Sequence, residues 1–106
     1  MLFQFNSDNR VEGDTSTEHR VRELIENRLG HVAERLTRVE VHVGDVNGPR
    51  GGAHIRCAVE LRPNGLDPIT GTDAAETIEA AALSATDKAM TALDRRIGKM
   101  TTRKGH

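Results

Sequence analysis

The spacing of apolar residues changes repeatedly along the chain, and each change predicts a new element. Phe3 and Phe5 alternate with polar neighbours, which predicts a first strand over residues 2–6. Thr15 and Glu18 form a Thr-x-x-Glu pattern, which is typical of a helix N-terminus. Apolar residues then recur at helical spacing and predict an amphipathic helix of about five turns. These residues are Val21, Leu24, Ile25, Leu29 and Val32.

The middle of the chain shows a period of two. Residues 38–43 and 55–61 each alternate apolar and polar side chains, which predicts two half-buried strands. Residues 44–52 are rich in glycine and predict a loop between them. The Pro-Asn-Gly sequence at 63–65 predicts a turn. A weaker fourth strand is predicted at 68–72, where a proline and a glycine suit the edge of a sheet.

A second helix is predicted from Ala74 to about Gly98, after a second capping pattern formed by Asp73 and Glu76. Its apolar stripe comprises Ile78, Ala82, Ala85, Ala89, Leu93, Ile97 and Met100. The order β-α-β-β-β-α predicts a two-layer α+β sandwich, with a four-stranded mixed sheet and both helices on one face. The other sheet face is predicted to expose Arg38, Glu40, His42, His54, Arg56, Glu60 and Arg62.

Charge is distributed unevenly along these elements. The 106 residues are enough for one domain, and their formal net charge of −1 weakens the case for a strongly basic nucleic-acid binder. The net charge is −3 over residues 1–18, +2 over 19–62, −5 over 63–87 and +5 over 88–106. Because a surface field depends on local charges, this pattern predicts a polarised protein with a basic end.

Other chemistry is sparse. Aromatic residues make up 2 % of the chain, which argues against stacking of unpaired bases. The single cysteine, Cys57, excludes an internal disulfide, and its place on the inward face of a strand favours an inert buried thiol over a nucleophile. His31, His42 and His54 match no ligand spacing, so we predict no metal, cofactor or catalytic site. Without a signal peptide or an apolar span, the chain is expected to be soluble and cytoplasmic.

Three segments resemble one family, the bacterial ribosome hibernation-promoting factors, also called ribosome-associated inhibitors or sigma-54 modulation proteins. Residues 22–29 (RELIENRL) resemble the family pattern Arg-x-aromatic/aliphatic-Val-x-x-Lys-Leu of the first helix, and residues 38–43 (RVEVHV) resemble its second strand. Residues 87–98 (DKAMTALDRRIG) resemble Asp-Lys-Leu-x-x-x-Leu-x-Arg-Arg-x-Gly. The resemblance covers about residues 2–100 in the same element order. The chain departs from the family pattern at Glu79, where many members have an aromatic residue, and at Ala89, where they usually have a larger aliphatic residue.

The resemblance implies a fold similar to double-stranded-RNA-binding domains and no enzymatic activity. It implies binding to small-subunit rRNA in the decoding channel, where the protein would block mRNA and tRNA. Other hibernation proteins are candidate further partners, and DNA and membranes are not expected. Residues 1–100 would form the ribosome-binding domain, and residues 101–106 a flexible basic tail. The chain would be a short form, without the dimerisation domain of the long form.

The candidate RNA-binding residues follow from the resemblance and from spacing. The resemblance carries over Arg22 and Arg28 of the first helix, and Lys88, Arg95 and Arg96 of the last. Spacing adds Lys99, since positions 88, 95 and 99 fall on one side of a helix. Charge alone favours solvated helix ends that complement the helix dipole, and it is the resemblance that favours RNA binding instead. A protein-interaction regulator that uses the open sheet face is the alternative function, and a small enzyme is the least supported.

Overall fold

A computed structural model describes residues 1–7, 15–47 and 53–104, with the backbone alone described for 46–47, 53–54 and 99–104. The elements are strand β1 (Leu2–Ser7), helix α1 (Thr15–Leu29), a 3-10 helix (Gly30–Arg35), strands β2 (Leu36–Asn47), β3 (Ala53–Pro63) and β4 (Ile69–Ala75), and helix α2 (Ile78–Lys104). This order confirms the predicted β-α-β-β-β-α arrangement.

The strands form one four-stranded mixed sheet in the order β1-β2-β3-β4. β1 pairs with β2 in parallel, and α1 is the crossover that a parallel pair requires. The β2–β3 and β3–β4 pairs are antiparallel. Both helices cover one face of the sheet, where α2 packs on β3, β4 and α1. The predicted α+β sandwich and the edge position of β4 are therefore confirmed.

The core lies between the helices and the sheet. Val21, Ile25 and Leu29 project from α1, one turn apart, and are at most 2 % exposed. Val39 and Val59 meet them from neighbouring strands and are fully buried. The alternation of buried and exposed positions along β2 and β3 thus determines which sheet face is covered.

Cys57 lies in this core, as its position in the alternation predicted. Its thiol is fully buried and free of any disulfide. Burial raises the pKa of Cys57 to about 12, because the apolar surroundings disfavour the thiolate. The predicted burial of Cys57 is confirmed, and its lack of reactivity stays a prediction.

The first helix and the central hairpin differ from their predicted bounds. Gly30, with φ of +55°, ends α1 in the left-handed region, so Val32 lies in the 3-10 helix that follows. β2 and β3 stay paired as far as Asn47 and Ala53, well into the segment predicted as a loop over 44–52. The remaining residues of that loop, 48–52, fall outside the described residues.

The start of the last helix was also predicted wrongly. Ala75 pairs with Ile55, which keeps residues through Ala75 in β4. Helix α2 therefore begins at Ile78, and Thr77 caps it by accepting the amide of Ala80 at 3.1 Å. α2 continues to Lys104, and the proposed division at residue 100 stays a prediction.

Small residues bring α2 against the edge strand. A Cβ atom built on Gly71 of β4 would collide with the backbone of Ala85 and Ala89 in α2. Ala85 and Ala89 are fully buried at this contact. The alanine at position 89, where the resembling family usually has a larger side chain, thus accompanies a glycine that lets the helix backbone approach the strand.

Candidate nucleic-acid interface

The two candidate arginines of α1 lie on opposite flanks of the helix. The Arg22 guanidinium lies 5.6 Å from the ring centroid of Phe3 on the edge strand β1, and Arg22 Nε lies 2.9 Å from Glu26 Oε1. Arg28 faces α2 instead, with Nη1 at 3.2 Å from Asp87 Oδ2. Six residues of helix separate them by about 120° around the axis. Arg22 is therefore set apart from the other candidates.

The candidates on α2 differ in how they are held. Lys88 Nζ lies 3.2 Å from Asp73 Oδ2 of β4. Arg96 is half-buried, and its Nη1 donates to the main-chain carbonyl of Asp67 at 2.9 Å. Arg95 is exposed and has no ion pair within the described part of the chain. The side chain of Lys99 lies outside the described residues.

These positions define a candidate surface along α2, which we call the α2 surface: Arg28, Lys88, Arg95 and Arg96. Helical periodicity places Lys88 and Arg95 about 20° apart, on the same side of α2. Arg28 reaches this helix from α1 through Asp87, the neighbour of Lys88. The α2 surface thus combines one exposed, unpaired arginine with three bases that already have partners in the fold.

One further base was not selected from the sequence. Arg20 Nη1 lies 3.8 Å from Glu79 Oε2, one of the two positions that depart from the family pattern. Arg20 and Arg28 are eight residues apart on α1, as are Glu79 and Asp87 on α2. The two ion pairs therefore form a ladder between helices that run in the same direction. The sequence contained one signal of this ladder, since the two arginines of α1 and the two acids of α2 are each eight residues apart.

Acidic residues of segment 63–87 lie against these bases. Asp73 accepts hydrogen bonds from the Ser84 hydroxyl, the Ala74 amide and Lys88, and these lower the pKa of Asp73 to about 2. Asp87 and Glu79 pair with α1. Folding thus places acids of segment 63–87 beside Lys88 and beside two bases of α1, while Arg95 at the basic end stays without an ion pair among the described residues.

The open sheet face carries an ion-pair network rather than freely exposed charges. The pairing of β2 with β3 puts Arg38 opposite Arg62 and Glu40 opposite Glu60. Arg38 lies 2.8 Å and Arg62 lies 3.5 Å from the Glu40 carboxylate. A side-chain hydrogen bond with Glu60, followed by the charges of Arg38 and Arg62, holds the pKa of Glu40 below its ordinary value.

Beyond this network, the same face bears the exposed side chains of His42 and Arg56. They line a shallow depression of about 440 Å³ together with Asn6 and Asp45. The predicted exposure of this face to solvent therefore holds most fully for His42 and Arg56, while the four network residues are only partly exposed. The side chain of His54 is outside the described residues.

The described residues contain no group of three His, Cys, Asp or Glu side chains that could hold a metal ion. In that same part of the chain, no helix is long and apolar enough to cross a membrane.

Two solved structures share this fold. A ribosomal subunit interface protein from Coxiella burnetii superposes with a TM-score of 0.62 at 11 % identity, over 96 % of this chain and 99 % of that one. The N-terminal domain of Protein Y from Thermus thermophilus gives a TM-score of 0.57 at 15 % identity, over 89 % and 96 %. No curated protein matches the sequence. The class is therefore that of a two-layer α+β domain with the architecture of these two proteins.

The family follows from the sequence match. The chain belongs to the family described as sigma 54 modulation protein / S30EA ribosomal protein, whose model matches residues 11–104. The family expected from the segments at 22–29, 38–43 and 87–98 is thereby confirmed. Membership makes this a ribosome-associated protein of the hibernation type.

Proposed function

We propose that this protein binds rRNA of the small ribosomal subunit in the decoding channel and blocks the sites of mRNA and tRNA. It would thereby inhibit translation and preserve idle ribosomes, as part of a stress response in the bacterial cytoplasm. The family match over residues 11–104 is the observation that carries the proposal, because it includes both helices with the candidate bases. The Coxiella burnetii neighbour is itself a ribosomal subunit interface protein.

The α2 surface suits contact with the phosphates of folded RNA. Arg95 is available without breaking an ion pair of the described residues, and Lys88 keeps a side chain that is 59 % exposed. Exposed ion pairs contribute only about 0–1 kcal/mol, so an RNA phosphate can replace a carboxylate at low cost. The scarcity of aromatic residues favours recognition through shape and phosphates over base stacking.

The open sheet face is less suited to a polyanion. Arg38 and Arg62 already share the carboxylate of Glu40 there, and facing glutamates would repel phosphates. Arg56 is the exposed arginine on this face. This contrast favours the helix side as the RNA contact.

Occlusion requires no catalytic group. A folded domain that occupies the channel excludes mRNA and tRNA sterically, and its affinity comes largely from phosphate neutralisation. The small subunit and its rRNA are then the partners, and other hibernation proteins are candidates for joint action on the same ribosome.

Sedimentation with purified subunits tests the proposal. The protein is expected to pellet with small subunits and not with large ones, and prior loading of mRNA and tRNA should reduce this binding. It should also inhibit translation in vitro. A folded variant with Lys88, Arg95 and Arg96 changed to glutamate should lose both properties. Failure of the unaltered protein to pellet with small subunits would refute the proposed function, and persistent binding by the triple variant would refute the site.

A further inference from the structure

Two bases of the α2 surface have an acidic partner from elsewhere in the fold. Arg28 lies 3.2 Å from Asp87, with side chains 46 % and 51 % exposed. Lys88 lies 3.2 Å from Asp73, with side chains 59 % and 29 % exposed. A pair as exposed as Arg28–Asp87 contributes little to stability, so folding alone does not account for this acid beside a base, whereas Asp73 is also held by the Ser84 hydroxyl and the Ala74 amide.

We infer that Asp73 and Asp87 act as intramolecular competitors of phosphate, which restrain the affinity of the α2 surface for RNA. The inference rests on the proposed function and adds a regulation of the same site. An RNA phosphate must either displace the carboxylate from its base or bind beside it. In both cases the RNA meets one negative charge more than it would on a surface of free bases.

The restraint acts most visibly on RNA that does not fit the ribosomal site. Non-specific binding depends almost entirely on phosphate neutralisation, whereas folded RNA also offers shape and hydroxyl contacts. Internal counter-charges therefore reduce the capture of the protein by unstructured RNA. A repulsive charge that weakens binding to the wrong partners is a general route to specificity.

Asp87→Asn is the most direct variant, because it removes one charge and keeps the size of a half-exposed side chain. Glu23→Gln is the matched control. Glu23 is an exposed acid of the same helical layer, and it has no ion pair within the described part of the chain. A general effect of net charge would appear in both variants, whereas competition at a paired base would appear only in Asp87→Asn.

The probe is a fluorescein-labelled oligo(U), whose binding is followed by fluorescence anisotropy across a salt series. Asp87→Asn is expected to bind about two- to fivefold more tightly, the equivalent of one surface ion pair. Its plot of log affinity against log salt should be steeper by up to about 0.7, the value for one phosphate of a single strand. Asp73→Asn should act in the same direction, and the double variant should exceed either one.

Unchanged or weaker oligo(U) binding by Asp87→Asn, or an equal gain with Glu23→Gln, would overturn the inference. A loss would instead mark Asp87 as a residue that positions Arg28. The sedimentation of the unaltered protein with small subunits separates the two proposals. If the unaltered protein does not sediment with small subunits while Asp87→Asn still binds oligo(U) more tightly, the proposed function is refuted and the competition by aspartate is supported. If the unaltered protein sediments with small subunits while Asp87→Asn gains no affinity, only the competition by aspartate is refuted.

Discussion

Replacing Gly71 by alanine places a methyl group where two backbone atoms of α2 already lie. The added Cβ atom would meet the carbonyl oxygen of Ala85 and the amide nitrogen of Ala89, neither of which belongs to a flexible side chain. Relief therefore requires α2 to move away from β4. Overpacking of this kind costs about 1–3 kcal/mol, and the rigidity of both partners places Gly71→Ala in the upper part of that range.

Gly98 provides a control within the same helix. A Cβ atom at Gly98 meets nothing within 4 Å, and its φ is not in the left-handed region. Gly98→Ala should therefore stabilise the protein by about 1 kcal/mol through helix propensity. The same glycine-to-alanine substitution is thus expected to lower the free energy of unfolding at position 71 and to raise it at position 98.

Urea unfolding measures both variants. The midpoint should fall for Gly71→Ala and rise for Gly98→Ala, with the slope unchanged if the unfolding remains two-state. In thermal scans, each kcal/mol corresponds to a shift on the order of 4–8 °C for a domain near this size. A Gly71→Ala variant as stable as the unaltered protein would refute the close approach of α2 and β4.

Two further predictions concern single side chains. Cys57 should not react with a thiol reagent at pH 8 in the native protein, because burial raises its pKa to about 12. The same thiol should react fully once urea has unfolded the protein. Fast labelling of the native protein would contradict the burial of Cys57. Asp73 has a folded pKa of about 2 against an ordinary 3.8, so it contributes stability above about pH 4 that is lost as the pH falls towards 2. Asp73→Asn should therefore flatten the decline of stability across that window in acid titrations, and an equal decline in both proteins would argue against the hydrogen bonds at Asp73.

Periodicity predicted the elements and the covered sheet face because both depend on neighbours along the chain. It failed at the start of α2, where local signals favoured a helix from Ala74. The extension of β4 to Ala75 depends on its pairing with Ile55, twenty positions earlier, and no local pattern reports that contact. Asp73 illustrates the consequence, since a carboxylate expected to cap a helix binds Ser84 and Lys88 instead.

The sequence proposed a set of candidate bases but not their geometry. The resemblance and the spacing selected bases on both helices, but they could not show that Arg22 faces the β1 edge. They also could not show that Asp87 lies within reach of Arg28, a contact across 59 positions of sequence. Ion pairs between elements depend on how the helices pack, so the charge of a segment is a poor guide to the field at the surface it forms.

Both departures from the family pattern have a physical counterpart in this fold. Glu79, the first departure from the resembling pattern, pairs with Arg20 of α1. Ala89, the second departure, lies under Gly71. Each unusual residue is therefore matched by a contact partner from another element.

We propose that the helix side, and not the open sheet face, contacts the small ribosomal subunit. Arg95 and Arg56 are both exposed arginines without an ion pair in the described part of the chain, one on α2 and one on the sheet face. The most direct measurement is the small-subunit affinity of Arg95→Glu and Arg56→Glu at fixed salt. We expect Arg95→Glu to lose on the order of tenfold, because a phosphate contact becomes a repulsion, and Arg56→Glu to match the unaltered protein. A loss confined to Arg56→Glu would contradict a contact through the helix side and assign the ribosome contact to the sheet face.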